Sequence, residues 1–382
     1  MRMIHTSDWH LGRLFHGIHM TDDQAHVLDQ FTDLVRDTRP DVIMVAGDIF
    51  DRAVPPTEAV NLLDDVISKI LIDYQVPIIM IAGNHDSPDR LGFGYRLMQG
   101  KGLHMFGRFN TDLRPIVIHD HHGPVFFHGL PYVEPAVVRD KLKDGGIHGH
   151  DDAMGKLIQQ LKNKMDSKQR NILLAHAFVA GGEESESERP LSVGGSSVVN
   201  SSYFKEFDYV ALGHLHRPQK VGNGNIRYSG SLMKYSFSEA GHQKHVAVIE
   251  MDASGKIGIE PIELRPRRDL RCLEGYLEEI LEGPQNGESK EDYLMVTLKD
   301  EGALLDPMGK LRKVYPNVLH IERPQMLTGG EQVKLEGNFR KMGEIDLFES
   351  FLKQVAGKEI TETQRKIFGE IVNQHYSMMR GE

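Results

Sequence analysis

Two different periods of apolar and polar residues alternate along the first half of the chain. Nearly continuous apolar runs occupy residues 1–6, 41–47 and 76–83, which is typical of strands buried on both faces. Between them, residues 21–40 and 58–74 place apolar side chains every three to four positions, as an amphipathic helix does. The order strand, helix, strand, helix, strand predicts a largely parallel α/β sheet with helices on its faces.

Further strands are predicted downstream, at the segments RPIVIHD, GPVFFHGL, NILLAHAF, FDYVALGH and KHVAVIEMD. Residues 181–202 form a polar, Gly- and Ser-rich connection without a clear period. A loop of that length is either functional or a surface insertion, and the sequence leaves both interpretations open.

The pattern changes near residues 262–275, where four arginines cluster: Arg265, Arg267, Arg268 and Arg271. Two short strands around a helix-like segment follow, and then two amphipathic helical stretches. We expect a large domain over residues 1–265, a small α+β domain over residues 270–335, and C-terminal helices over residues 340–382.

Composition narrows the class of protein. A formal net charge of −10 argues against holding nucleic acid by net charge alone, although it permits a local basic patch. No apolar stretch approaches the ~18 residues that span a bilayer, and the N-terminal residues reach charge too early for a secretory signal. Cys272 is the single cysteine, which suits a reducing compartment. We expect a cytoplasmic protein without a membrane segment.

Side chains of the metal-binding kinds follow five of the predicted strands, at the point where each strand ends. They are Asp8, His10, Asp48, Asn84, His176, His214 and His216. Because the carboxyl ends of strands in an open α/β sheet meet at one edge, we expect these side chains to converge there. A polar turn explains one such strand end, but five with these residue types indicate a site.

The donor set indicates its chemistry. Mixed nitrogen and oxygen donors without thiolate suit Mn²⁺, Fe²⁺, Co²⁺ or Zn²⁺ better than Ca²⁺. Seven donors exceed the needs of one ion and suit two ions that share a carboxylate. Two carboxylates leave two divalent ions with an excess positive charge, which attracts phosphate and withdraws charge from phosphorus. The sequence therefore predicts metal-assisted phosphoester hydrolysis.

The segments around these residues resemble the calcineurin-like metallophosphoesterase superfamily and, within it, the SbcD family of nuclease subunits. They are HTSDWHLGR, GDIFDRAVPP, GNHDSPDRL, SERPLSVGGS, DYVALGHLHRPQ and RYSGSLMKYSFSE, within residues 1–240. The resemblance implies a β-sheet core flanked by helices, with a small α+β capping domain and C-terminal helices.

The resemblance also implies roles for single residues. Two ions, typically manganese, would share Asp48. The remaining ligands would be Asp8, His10 and His216 on one ion, and Asn84, His176 and His214 on the other. His85 would assist the leaving group or the transition state, with Asp86 orienting it by a hydrogen bond. Asp51 stands where some relatives have a histidine and is a candidate supporting residue only.

The same resemblance implies partners: DNA, an SbcC-type coiled-coil ATPase docked by the C-terminal helices, and a second copy of the chain, for which the helix at 58–74 is a candidate contact. Such an enzyme would cleave duplex ends as an exonuclease and hairpins or single strands as an endonuclease. The arginine cluster is either a DNA-backbone contact or a solvated linker.

Two alternatives use the same fold. A small-molecule or protein phosphatase would share the metal centre but would not need residues 275–382. A non-enzymatic scaffold is disfavoured, because all seven donors and His85 are present.

Overall fold

The computed structural model divides the chain into two units, residues 1–270 and residues 271–382. It describes residues 1–191, 197–222, 224–285, 287–324, 344–356 and 359–380. The three-part domain division stays a prediction, since its last boundary, between residues 335 and 340, lies outside the described residues.

Two six-stranded sheets form the frame of the first unit. In spatial order, sheet one contains β16 (Ile257–Glu263), β15 (His245–Met251), β1 (Arg2–Thr6), β4 (Val42–Val45), β5 (Ile78–Ile81) and β6 (Leu103–Phe106). Sheet two contains β13 (Gln219–Val221), β14 (Ile226–Tyr228), β12 (Tyr209–Gly213), β9 (Arg170–His176), β8 (Gly123–Leu130) and β7 (Ile116–Asp120). Short pairs are formed by β2 (Leu14–Phe15) with β3 (Ile18–His19) and by β10 (Phe178–Val179) with β11 (Val198–Val199).

Sheet one is parallel from β1 to the edge strand β6 and antiparallel at its other edge, whereas sheet two is parallel in the middle and antiparallel at both edges. Strands β1, β4, β5 and β6 pair in parallel, as do β8, β9, β12 and β14. Strand β15 pairs antiparallel with both β1 and β16, β13 pairs antiparallel with β14, and β7 pairs antiparallel with β8. The parallel strands of each sheet therefore send their carboxyl ends to one edge.

The two sheets bury apolar side chains against each other. Met3 and Ile79 of sheet one share one buried cluster with Phe127, Leu174 and Tyr209 of sheet two. The sequence pattern predicted one largely parallel sheet and did not assign its strands to separate sheets. The structure corrects this to two mixed sheets. Strands buried on both faces carry the same apolar runs in either sheet, so the pattern alone does not divide them.

Helices flank the strands, and in the first unit the pattern predicted two of them, over residues 21–40 and 58–74. In the first unit they are α1 (Thr21–Thr38), α2 (Thr57–Ser68), α3 (Pro88–Leu91), α4 (Tyr95–Met98), α5 (Pro135–Leu142) and α6 (His150–Lys164). Helix α1 buries Leu28, Phe31 and Val35, as its predicted stripe requires. Helix α6 buries Leu157 and Ile158 in a cluster shared with sheet two.

The second unit has a small core of its own. A three-stranded sheet contains β17 (Leu270–Gly275), β18 (Tyr293–Leu298) and β19 (Val318–Glu322), with α7 (Leu277–Ile280) and α8 (Pro307–Val314). Leu294, Val296 and Leu311 are fully buried in it. The two predicted C-terminal helices are present at Glu344–Ala356 and Glu362–Arg380, and the rings of Phe348 and Phe368 stack at 3.9 Å. Among the described helices, none has the length and apolarity needed to cross a bilayer.

Candidate metal centre

All seven predicted ligands lie where the strands of the two sheets end. Asp8 and His10 follow β1, Asp48 follows β4 and Asn84 follows β5. Sheet two adds His176, the last residue of β9, and His214 and His216, which follow β12. Four of these residues have left-handed backbones: Asp8 (φ 53°), His10 (φ 47°), Asp48 (φ 49°) and His214 (φ 105°). Such conformations cost about 1–3 kcal/mol each and cluster at functional sites.

Glycines next to the ligands allow the turns to approach closely. A Cβ on Gly83 would lie 2.1 Å from Asp48 Oδ1, and one on Gly213 would lie 1.9 Å from the carbonyl oxygen of Ala46. Neither position has room for a side chain. The two sheets therefore meet at this edge through backbone, which brings their histidines within reach of each other.

One half of the centre contains His10, His216 and Asp8. His10 Nε2 lies 3.0 Å from His216 Nε2 and 3.7 Å from Asp48 Oδ2. The carboxylate of Asp8 accepts the Ser7 hydroxyl at 2.6 Å and the backbone N–H of His214 at 2.9 Å. One donor atom from each of Asp8, His10 and His216 lies within 4.8 Å of the others, which is a metal-ligating spacing.

The other half contains His176, Asn84 and His214. The Nδ1–H of His176 donates to the carbonyl of Ala46 at 2.9 Å, which leaves its Nε2 as the nitrogen available to a metal ion or a proton. That Nε2 lies 2.9 Å from Asn84 Oδ1 and 3.4 Å from Asp48 Oδ2. His214 Nε2 is buried and has no hydrogen-bond partner among the described residues. Asp48 reaches His10 and His176, as a bridging ligand would.

These contacts fit a pair of divalent cations. The His10 and His216 nitrogens that face each other repel when both carry lone pairs. The same holds for His176 Nε2 and the Asn84 oxygen. A cation or a proton between the two atoms of each pair removes the repulsion. Burial raises the pKa of Asp8 to about 6, although His176 opposes the rise. Burial lowers the pKa of His176, but the Asp48 carboxylate outweighs burial and raises it to about 9. Without cations the centre holds protons that metal binding would release.

His85 is not among the predicted ligands, although one donor atom from each of His10, Asp51 and His85 lies within 4.8 Å of the others. Its Nδ1–H donates to the backbone carbonyl of Asp51 at 2.7 Å, and its ring lies 4.7 Å from the ring of His10. The side chain is half-buried, unlike the fully buried ligand histidines. It therefore borders both the metal centre and the solvent from which a substrate arrives.

Asp51 supports its neighbours in two ways. Its carboxylate accepts Arg13 at 2.8 Å and lies 3.6 Å from His10 Nδ1, while its carbonyl accepts His85. Arg13 in turn lies over the ring of Tyr235, 5.5 Å from its centroid. The supporting position considered for Asp51 agrees with these contacts.

The structure gives Asp86 a different set of partners from the one expected. Its carboxylate accepts the backbone N–H groups of Ile49 (3.1 Å), Phe50 (2.9 Å) and Gly83 (2.9 Å). The expected hydrogen bond to His85 is therefore corrected, because the Asp51 carbonyl is the partner of the imidazole. Asp86 ties the turn after β4 to the turn after β5 and so fixes the positions of Asp48 and Asn84.

Sequence comparison agrees with this geometry. Residues 1–218 match the calcineurin-like phosphoesterase family, and residues 266–356 match the SbcD C-terminal profile, described as the type 5 capsule protein repressor C-terminal domain. The SbcD subunit of the SbcCD nuclease of Staphylococcus epidermidis is 32% identical over 95% of this chain and 96% of its own length. The chain belongs to the SbcD family of calcineurin-like phosphoesterases. The predicted resemblance, fold class and enzyme class are confirmed.

Likeness to solved structures is weaker. The protein TT1561 of Thermus thermophilus is 14% identical, with a TM-score of 0.40 over 69% of this chain and 99% of its own. A dimetal phosphatase from Danio rerio is 12% identical, with a TM-score of 0.42 over 69% of this chain and 96% of its own. The family assignment depends on the sequence matches alone.

The arginine cluster of this SbcD-family chain is divided between the two units. In the first unit, Arg268 pairs with Asp23 at 3.2 Å, while Arg265 and Arg267 are exposed. In the second, Arg271 pairs with Asp292 at 2.7 Å and with Glu288 at 2.8 Å. Arg268 and Arg271 thus have structural partners, and a role of the cluster in DNA contact stays a prediction.

Sequence reasoning missed a group of polar residues behind His216: Ser187, Glu188, Glu239 and Lys244. Three of them belong to segments that carried the family resemblance, SERPLSVGGS and RYSGSLMKYSFSE. They do not end predicted strands, so the rule that predicted the ligands did not select them.

Proposed function

We propose that this chain is the metal-dependent nuclease subunit of an SbcCD-type complex, acting with an SbcC-type ATPase on DNA ends in repair, recombination and replication. It would act as an exonuclease on duplex ends and an endonuclease on hairpins and single strands. The observation that carries the proposal is that the seven predicted ligands lie at strand ends on one sheet edge, five of them in groups with metal-ligating spacing, with half-buried His85 beside them.

Two divalent ions are the proposed cofactor, and Mn²⁺ is the proposed ion. Asp8, His10, Asp48 and His216 would hold one ion, and Asp48, Asn84, His176 and His214 the other. Imidazole and oxygen donors without thiolate are the set that Mn²⁺ shares with other first-row ions. When bound, such a pair supplies Lewis-acid polarisation of a phosphodiester and activation of water.

His85 is the proposed general acid. With Nδ1–H donated to the Asp51 carbonyl, the ring orientation is fixed and Nε2 is the nitrogen left for the substrate. A proton held at Nε2 would pass to the leaving oxygen as the P–O bond breaks, which is worth about 10²–10⁴-fold in rate. Asp86 acts only through the backbone, by holding the turns that present Asp48 and Asn84.

The C-terminal helices are the proposed docking element for the ATPase. Phe348 and Phe368 stack between the two helices, and Arg365 pairs with Glu349. Ile367 and Ile371, one helical turn apart, remain exposed. An exposed apolar pair on a paired-helix element suits the apolar groove or coiled coil of a partner.

A cytoplasmic homodimer is proposed as the working form. Val60 of α2 and Ile72 just beyond it are exposed, at 44% and 71%. Both residues belong to the segment 58–74, which was predicted as a candidate contact with a second copy. Two exposed apolar side chains on this segment support a contact there.

The proposal is tested by incubating the protein with Mn²⁺ and end-labelled duplex or hairpin DNA, beside a chromogenic phosphodiester. Shortened duplex ends and opened hairpins are expected, together with turnover of the small ester. Turnover of the small ester without any DNA cleavage, with the ATPase partner present, would overturn the nuclease assignment in favour of a phosphatase.

A further inference from the structure

A buried polar cluster lies behind His216, on the side of its ring opposite the metal centre. It consists of Ser187, Glu239 and Lys244, all fully or almost fully buried. Ser187 comes from the long connection after β10, whereas Glu239 and Lys244 flank the turn before β15. Distant parts of the chain are therefore brought to one imidazole.

Lys244 and Glu239 form the base of the cluster. Lys244 Nζ donates to Glu239 Oε2 at 2.5 Å, to the carbonyl of His216 at 2.7 Å and to Ser231 Oγ at 2.9 Å. All three ammonium hydrogens thus have acceptors. Glu239 Oε1 also accepts the backbone N–H of Tyr235 at 3.2 Å. The carboxylate is consequently paired, hydrogen-bonded and fixed in position.

Ser187 links this carboxylate to the imidazole. Its hydroxyl donates to Glu239 Oε1 at 2.5 Å, and the same Oγ lies 2.5 Å from His216 Nδ1. A hydroxyl has one hydrogen, so once it donates to the carboxylate its oxygen accepts from the ring. The His216 proton therefore lies on Nδ1. Nε2 is left as a lone pair on the side where His10 lies at 3.0 Å.

The backbone of His216 is held by the same segments. Its N–H donates to Glu188 Oε1 at 2.7 Å, and its carbonyl accepts Lys244. Glu188 is kept in place by Ser185, whose hydroxyl and N–H both donate to Glu188 Oε2. The ring, the N–H and the carbonyl of His216 are thus held by Ser187, Glu188 and Lys244, which Ser185 and Glu239 hold in turn.

We propose that Ser187, Glu239 and Lys244 are positioning residues, which fix the tautomer and the orientation of His216 so that its Nε2 is presented to one metal ion. This rests on the proposed dimetal centre. Ser185, Ser187 and Glu188 then support the metal centre, which makes this part of the 181–202 connection functional.

A role in stability alone accounts for fewer of the contacts of this cluster than the positioning of His216 does. A buried carboxylate–ammonium pair costs desolvation that its own attraction often fails to recover, so it adds little to stability. Its partners also converge on one ligand and reach it at ring, N–H and carbonyl. Partners of this kind, which hold a ligating histidine, typically change metal affinity by 10–100-fold when removed.

The test is a Mn²⁺ titration by calorimetry of the full chain and three variants: Ser187→Ala, Glu239→Gln and Glu186→Gln. Glu186 is exposed on the same connection, so it is the matched control for the charge change. Thermal unfolding of the metal-free proteins is recorded beside each titration. Ser187→Ala removes a single hydroxyl and carries the test if Glu239→Gln does not fold.

The wild type and Glu186→Gln should bind two ions per chain. In Ser187→Ala and Glu239→Gln one of the two sites should weaken by about 10–100-fold while the other keeps its affinity, and kcat should recover at high Mn²⁺ with KM for DNA unchanged. Two unchanged sites, or equal weakening of both with a lowered metal-free Tm, would overturn the inference. A wild type that does not bind two ions would instead contradict the proposed function.

Discussion

His10 Nε2 and His216 Nε2 lie 3.0 Å apart, although 206 residues separate them along the chain. Both side chains are buried, so bulk solvent does not screen one nitrogen from the other. With the His216 proton on Nδ1, the pair requires a proton or a cation between the rings. The first motif of sheet one and the last motif of sheet two thus define one half of the metal centre.

His85→Ala should lower DNA cleavage by about 10²–10⁴-fold and leave Mn²⁺ binding at two ions per chain, because the imidazole lies beside the centre and not in it. Cleavage assays and metal analysis measure the two effects separately. His19→Ala, at an exposed position, is the matched control and should change neither. Loss of an ion in His85→Ala would show that His85 is a ligand.

Gly83→Ala should abolish Mn²⁺ binding at physiological concentrations. The new Cβ would lie 2.1 Å from Asp48 Oδ1 and 2.3 Å from the Asp48 backbone nitrogen, so the bridging carboxylate must move. Crowding of this kind also costs about 1–3 kcal/mol of stability. Gly100→Ala has nothing within 4 Å of the new methyl group and should bind metal as the wild type does. Equal affinities in the two variants would contradict the bridging position of Asp48.

The convergence of the seven predicted ligands could be inferred from sequence because it follows a rule of topology. Parallel strands end at one edge, so Asp48 and Asn84, which follow β4 and β5, had to be neighbours. Apolar runs could not divide the strands between two sheets, because strands buried on both faces look alike in either.

The partners of His85 and His216 depend on the path of irregular segments, which no period encodes. Asp86 follows His85 directly, yet its carboxylate turns to three backbone N–H groups, and the carbonyl of Asp51 takes the imidazole instead. Ser187 lies in a connection with no repeating pattern, so nothing in the sequence places it against His216.

Asp120→Asn should destabilise the first unit by about 3 kcal/mol, as removal of one partner from a buried ion pair does. Arg170 donates to both carboxylate oxygens of Asp120, at 2.8 and 2.7 Å, and holds the pKa of that carboxyl well below its usual range. The side chain of Asp120 is only 2% exposed. Urea unfolding at pH 7 measures the loss. Asp112→Asn, in an exposed pair with Arg114, is the control and should cost less than about 1 kcal/mol.

The effect of Asp120→Asn should depend on pH in one direction. Because the folded pKa of Asp120 lies below the unfolded value of about 3.9, its contribution is complete above that value and disappears as the pH falls through the folded pKa. The difference between wild type and variant should therefore shrink below about pH 4. A difference that grows on acidification would contradict the ion pair.

Ile367→Asp combined with Ile371→Asp should weaken binding of the ATPase partner by roughly 30-fold or more, if the exposed pair is a central anchor. Deletion of residues 340–382 should abolish the coupling of cleavage to the ATPase while sparing basal Mn²⁺-dependent cleavage. Leu305→Asp, at an exposed position outside these helices, is the control. Pull-down and cleavage assays measure both effects, and unchanged partner binding in the deletion would contradict the docking assignment.

The most direct test of the dimetal centre is an anomalous difference map at the manganese edge, from crystals soaked in Mn²⁺. Two peaks about 3.5–4 Å apart are predicted, one beside His10 and His216, the other beside Asn84, His176 and His214, with Asp48 between them. A single peak, or two peaks away from these residues, would contradict it.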